Sequence, residues 1–298
     1  MLGELAALGA ALSWALSAVL YKRALRDIKP LQANMVRLAC TGVILLVFLA
    51  VTGNFVVMFS LPQYAIAFAC ISGIIGLGIG DTLYMLSLKD IGVGRAVSIT
   101  CTYPLFSLLW ARLLMMEPIT FQVALGAFAI VYGIVLLSYK KDTATEEKQS
   151  KATPYRGVAY ALATAIAWSI SITVMNASVK EAFGLSQALT INTVRVLGIA
   201  ILLLAVSPLL GNSLSMKRIG KKSLIALVSG GVVALGFGWF FLTYSLMETL
   251  ESRAVPISST TPLFSTLAAM AFLREKPKKR TVFGSTMVVA GIALIFLV

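Results

Sequence analysis

Ten apolar stretches, each about the 20 residues a helix needs to cross a bilayer, alternate along this chain with short polar turns. They cover approximately residues 2 to 21, 31 to 51, 64 to 88, 93 to 116 and 119 to 139, then 155 to 178, 186 to 206, 222 to 246, 252 to 273 and 280 to 297. No segment alternates apolar and polar residues as a transmembrane β-strand does. The predicted elements are therefore ten spanning helices. The run from Lys140 to Arg156, with Thr143, Thr145, Glu146, Glu147 and Ser150, has low hydrophobicity and reads as a flexible linker between two sets of five.

The two sets repeat each other. Arg95-Ala96-Val97, Ile99, Thr102 and Pro104-Leu105-Phe106-Ser107 recur as Arg253-Ala254-Val255, Ile257, Thr260 and Pro262-Leu263-Phe264-Ser265, at a constant offset of 158 (253 − 95 and 262 − 104). The register runs without a gap from Leu77, Gly78 and Gly80 to Glu117, matched by Leu235, Gly236, Gly238 and Glu275. With small shifts it reaches back to Asn34 and Arg37 (Asn192, Arg195) and to Gly3 and Trp14 (Gly157, Trp168). A duplicated unit thus fills nearly the whole chain. Its first copy occupies 1–139, the linker 140–154 and the second copy 155–298.

Composition agrees with a membrane protein: 59% of residues are hydrophobic and 12% charged, with a mean hydropathy of +0.92, beyond the range of soluble domains. Alternate loops carry nearly all the Lys and Arg, whereas the opposite loops hold only Lys180 and Arg253. The positive-inside rule then puts the basic loops and the linker in the cytoplasm and both termini outside, in a cell (inner or plasma) membrane. The net charge of +13 is explained by those loops and by anionic lipid head groups, so nucleic acid is not expected as a partner. Cys40, Cys70 and Cys101 fall inside apolar helices without metal-ligand spacing, and neither metal nor cofactor is expected.

Five helices per repeat make the second copy enter the bilayer from the opposite side, which predicts inverted topology. In such folds the substrate site lies near the midplane between the repeats, and exchange of their conformations gives alternating access. The competing reading is a scaffold built from duplicated helices, which flux across a sealed bilayer would separate from a carrier.

The residues also resemble a known family, the EamA-type transporters of the drug/metabolite transporter superfamily. The resemblance lies in an early Arg in the second helix of each repeat (Arg37, Arg195), a Gly-rich third helix, and a fourth helix with a mid-span Pro closing on Glu (Pro104 to Glu117, Pro262 to Glu275). Gly126 and Gly133, matched by Gly284 and Gly291, continue it in the fifth helices. It implies a basket-like all-α bundle with a central cavity that carries small metabolites, often amino acids and often outward. Multidrug or lipid transport on the same fold is the alternative.

Ionisable groups at membrane depth are the first site candidates, because burying them there is costly. Asp81, between Gly80 and Thr82, reads as the only acid inside the bilayer and, in a chain without His, as the coupling group if protons are transported. Arg37 and Arg195 are coupling or gating candidates, either snorkelling to the interface or offering a guanidinium fork to a substrate carboxylate. Trp14 and Trp168 stand at equivalent mid-span positions, away from the interfacial belt, and with Ser17 and Ser171 are candidates for a cavity wall. Tyr84, Tyr103, Trp239 and Tyr244 extend that set. Pro104 and Pro262 are helix-break candidates, their freed carbonyls within reach of neighbouring Ser and Thr hydroxyls.

A chain without His offers no Ser-His-Asp arrangement, and one membrane Asp lacks the second carboxylate of an intramembrane aspartyl protease, so an enzyme is not expected. The expectation is a secondary transporter whose partners are a small-molecule substrate, membrane lipids and, through Asp81, protons, as a monomer or homodimer.

Overall fold

Inside hydrocarbon a backbone N–H finds no water to bond, so apolar sequence of this length closes its hydrogen bonds within helices. The computed structural model describes residues 1–24, 28, 30–138, 154–207, 219–264, 267 and 279–297. Nearly all of the expected linker, and the second half of the span expected at 252 to 273, lie outside the described residues.

In the first half α1 (Leu2–Ala24) and α2 (Pro30–Val51) are long helices. Gly53, at a φ of 72° that favours glycine, turns the chain into a 3-10 turn (Asn54–Val56) and the one-turn α3 (Val57–Ser60). Then follow α4 (Gln63–Gly73), a π-helical segment (Ile74–Gly80), α5 (Asp81–Thr100), α6 (Tyr103–Leu114) and α7 (Phe121–Ser138). The second half contains α8 (Pro154–Ser178), α9 (Gly184–Val206), α10 (Lys221–Gly231), a second π-helical segment (Val232–Gly238), α11 (Trp239–Glu248), α12 (Glu251–Ser258) and α13 (Lys279–Phe296). The two π segments are offset by the repeat distance, 232 − 74 = 158.

Among the described residues six helical segments are long and apolar enough to cross a membrane, and Leu2–Ser17, Tyr103–Leu114 and Phe121–Leu137 are shorter apolar helices. Large apolar side chains such as Val47, Phe48, Leu113, Phe121, Phe128, Ile201 and Val289 are exposed on the outer surface, where lipid tails are the appropriate solvent.

The loop expected between residues 88 and 93 is replaced by unbroken helical backbone through α5. Its neighbours nevertheless reverse. Tyr84 packs on Trp168, Asp90 and Ile91 crowd Gly157, Ala96 joins a cluster with Ala161, and Tyr103 is back at Trp168. The chain thus doubles back near Ile91.

The helical track breaks where hydroxyl-rich sequence precedes each central proline. At Cys101–Thr102 and at Ser259–Thr260 a turn interrupts the helix. Thr102 Oγ1 donates to the Ile99 carbonyl and Thr260 Oγ1 to the Ile257 carbonyl, both at 2.7 Å. Pro104 falls in the first turn of α6, where its missing N–H leaves no ladder bond unmade.

Among the described residues the halves meet along several helix pairs, two of which follow directly from the repeat. Gly126 meets the backbone of Gly291 and Gly133 that of Gly284, so α7 and α13 run antiparallel with carbonyls where a side chain would otherwise stand. The first helix of each half also packs against the other half: α1 lies on α10, the second π segment and α11, while α8 lies on α4, the first π segment and α5.

The carboxylate of Glu117, beyond α6, accepts the backbone N–H groups of Glu251 and Ser252, both at 2.9 Å, and so satisfies the N-terminus of α12. Glu117→Ala is expected to lower stability by about 2 kcal/mol, and Glu117→Gln, which keeps one acceptor, by about half as much. Unfolding of the purified protein in mixed SDS and detergent micelles measures both.

Candidate functional site

A π turn spreads the backbone ladder and leaves a carbonyl without its usual donor, which is why such turns mark functional sites. Here asparagines supply the donor. Asn34 Nδ2 bonds the Leu77 carbonyl at 3.0 Å, and Asn192 Nδ2 bonds the Leu235 carbonyl at 2.8 Å. Three residues after each Asn, on the same helix face, comes an arginine, Arg37 or Arg195. The repeated Asn-x-x-Arg thus pins each π segment and places a guanidinium beside it.

Around the first π segment, Arg37 Nη2 forms an ion pair and hydrogen bond with Asp81 Oδ2, and Arg37 Nε donates to Asn34 Oδ1 at 2.8 Å. The other oxygen of Asp81 accepts the indole N–H of Trp168 at 3.0 Å. Trp168 lies against Gly80, where a Cβ would come within 2.7 Å of the ring. Tyr84 (5.1 Å between ring centroids) and Tyr103 (6.0 Å) flank it.

Around the second, Trp14 lies against Gly238, where a Cβ would fall 2.5 Å from the indole nitrogen. Its N–H donates to the Ala234 carbonyl at 3.2 Å, its own carbonyl accepts Ser17 Oγ at 2.9 Å, and its ring meets Trp239 edge-on at 5.5 Å. Trp239 stands where the first half has Asp81. Arg195 accordingly faces an aromatic ring in place of a carboxylate, its Cζ 3.6 Å from the centroid.

Arg195 is wholly buried. Its Nε donates to Ser72 Oγ at 2.9 Å and its Nη2 to Ser171 Oγ at 3.0 Å. Those two serines also clasp α4 to α8, each hydroxyl donating to the other's carbonyl at 2.7 Å. Gly76 makes room for Ser171, which lies 2.2 Å from where a Cβ would be. The position of Arg195 rules out snorkelling to the interface.

The structure therefore brings together Trp14, Ser17, Arg37, Asp81, Tyr84, Tyr103, Trp168, Ser171, Arg195 and Trp239. Tyr244 lies apart on α11, partly exposed and beside Glu248. Pro104 and Pro262 begin helical segments after the breaks already described. Asn34, Asn192 and Ser72 are polar neighbours of this cluster that the search for charges and aromatics passed over. The signal for the asparagines was their identical spacing to an arginine in both repeats.

Asp81 is not the only buried acid among the described residues. Glu251 is fully buried at the start of α12, with Oε1 accepting from Ser107 Oγ (2.5 Å) and Thr173 Oγ1 (2.6 Å) and Oε2 from Asn176 Nδ2 (3.1 Å). Its place at an expected helix end concealed it, because depth was read from hydropathy. Glu4, in the first turn of α1, is buried as well, bonded by Thr249 Oγ1 at 2.9 Å and paired with the N-terminal ammonium at 2.9 Å.

Two guanidinium groups, one carboxylate and the three indoles of Trp14, Trp168 and Trp239 are gathered at the junction of the halves. The EamA-like transporter family matches residues 1–139 and again residues 155–297. Two proteins of Archaeoglobus fulgidus, each named "Uncharacterized transporter", are similar over nearly their whole lengths. One is 25% identical over 301 residues (100% of this chain, 99% of the relative) and the other 26% identical over 285 residues (95% and 94%). A solved crystal structure, described without a function, shares the fold at a TM-score of 0.78 and 18% identity, across 99% of this chain and 96% of its own.

Proposed function

This chain belongs to the EamA-like transporter family, part of the drug/metabolite transporter superfamily, and from that premise we propose that it is a secondary active exporter of small metabolites such as amino acids. It works by alternating access of two inverted five-helix repeats, 1–139 and 155–298, joined by a cytoplasmic linker, with both termini outside the plasma membrane.

The observation that carries this reading is reciprocity. Each half inserts its tryptophan into the Gly-rich π segment of the other: Trp14 at Gly238 and Trp168 at Gly80. Two similar, interlocked halves can exchange conformations, which is what alternating access of a repeat protein requires. The antiparallel glycine contact of α7 with α13 gives the halves a hinge of bare backbone that tolerates small sliding motions.

Counterflow in sealed proteoliposomes tests the proposal. Vesicles preloaded with an unlabelled amino acid are expected to accumulate the labelled compound transiently, and Trp14→Ala and Trp168→Ala to reduce the rate at least about tenfold by removing apolar contact at the site. Equal uptake by protein-free vesicles for every compound tried would refute it.

A further inference from the structure

The two halves treat the same charge differently. In the first, Arg37 is paired with Asp81. In the second, the position equivalent to Asp81 is Trp239, so Arg195 has a neutral ring over its guanidinium. Its Nη1 is buried and has no hydrogen-bond partner among the described residues.

Nearby groups do not complete the balance. On α4 and α8 the groups bonded to Arg195 are serine hydroxyls, which are neutral. The α2 residue in the cluster is Arg37, a second cation. Asp81 acts on Arg195 electrostatically but its two oxygens are engaged by Arg37 and Trp168. Glu251 binds Thr173 and Asn176 of α8; Thr173 is two residues from Ser171, about 200° around the helix, so Glu251 occupies another face. Arg37, Asp81 and Arg195 therefore sum to one positive charge in a setting where an uncompensated ion is unfavourable.

We infer that Arg195 is the anion-recognising residue of this carrier: a substrate carboxylate binds its Nη1 edge between Ser171 and the Trp239 ring, doing for Arg195 what Asp81 does for Arg37. The inference rests on the transport reading and adds to it the residue that selects the substrate and the group it selects by, a carboxylate. The guanidinium is already oriented by two serine acceptors and a ring, so little ordering remains to be done when the anion arrives. With the acid bound, the cluster is electrically neutral, which favours closure of the site around a loaded substrate over closure around none.

Matched pairs of ligands provide the test. The purified protein in detergent is titrated with the standard L-amino acids and, for each, its C-terminal amide, and thermal unfolding is followed. At least one acid is expected to raise the midpoint saturably while its amide does not. For that acid Arg195→Lys, which keeps the charge but loses the fork, is expected to weaken binding roughly ten- to hundredfold, and Arg195→Gln to abolish it. An amide that stabilises as well as its acid, or no stabilisation by any acid, overturns the inference, and both outcomes are read on the unsubstituted protein should a variant fail to fold. Flux separates the two claims. An acid that binds through Arg195 yet does not move across proteoliposomes removes the carrier and leaves the anion site, whereas an amide transported as fast as its acid does the reverse.

Discussion

Asp81→Asn is expected to lower the stability of the protein by about 3–5 kcal/mol, the scale of removing one partner from a buried ion pair. The carboxylate and guanidinium are only 14% and 11% exposed, so water cannot replace the lost partner. Asparagine can still accept the Trp168 indole N–H through its oxygen, but its amide then turns a donor toward Arg37 Nη2, which is also a donor. Arg37→Met alone is expected to cost a similar amount by isolating Asp81. The double variant Asp81→Asn with Arg37→Met is expected to cost clearly less than the sum of the two. Unfolding in SDS and detergent measures the cycle, and additivity of the two single effects would show that the pair contributes nothing as a pair.

Gly133→Val is expected to cost about 3 kcal/mol or more and to loosen α7 from α13. A Cβ at this position would stand 2.6 Å from the Gly284 carbonyl oxygen and 3.0 Å from the Val288 nitrogen. Both are backbone atoms of a helix, which cannot rotate aside as a side chain can, so the helices must separate and lose contact along their length. Gly236→Ala provides the comparison, since its nearest neighbour, Leu45 Cδ2, would be 3.7 Å away, an ordinary contact. Its expected effect is within about 1 kcal/mol. Equal losses for the two would place the cost in helix propensity and not in the crossing.

Much of this arrangement was legible in the repeat itself. Matching residues such as Thr102 and Thr260, or Asn34 and Asn192, make matching hydrogen bonds, because two copies of one pattern meet the same local physics. The ends and interruptions of helices were less legible. Hydropathy marks which residues prefer lipid and placed a reversal between residues 88 and 93, but neither the helical assignment that runs through that reversal nor the π segments could be read from it. Burial of polar groups was hardest to read. Glu251 looks like an interfacial residue until Ser107, Thr173 and Asn176 are brought around it, and those three are spread over 69 residues of sequence (176 − 107). The position of Asp81 was evident from its surroundings, whereas its partner was not, since Arg37 precedes it by 44 residues.

The packing of α1 has a consequence for how the protein is made. The groove that receives this helix is built from α10, the second π segment and α11, and the Trp14 bond to Ala234 closes a separation of 220 residues. A ribosome delivers the chain from its N-terminus, so α1 enters the membrane well before any of its partners exist, and contacts this distant in sequence form slowly. This helix must therefore wait in lipid for partners made much later, and is among the last elements to find its place.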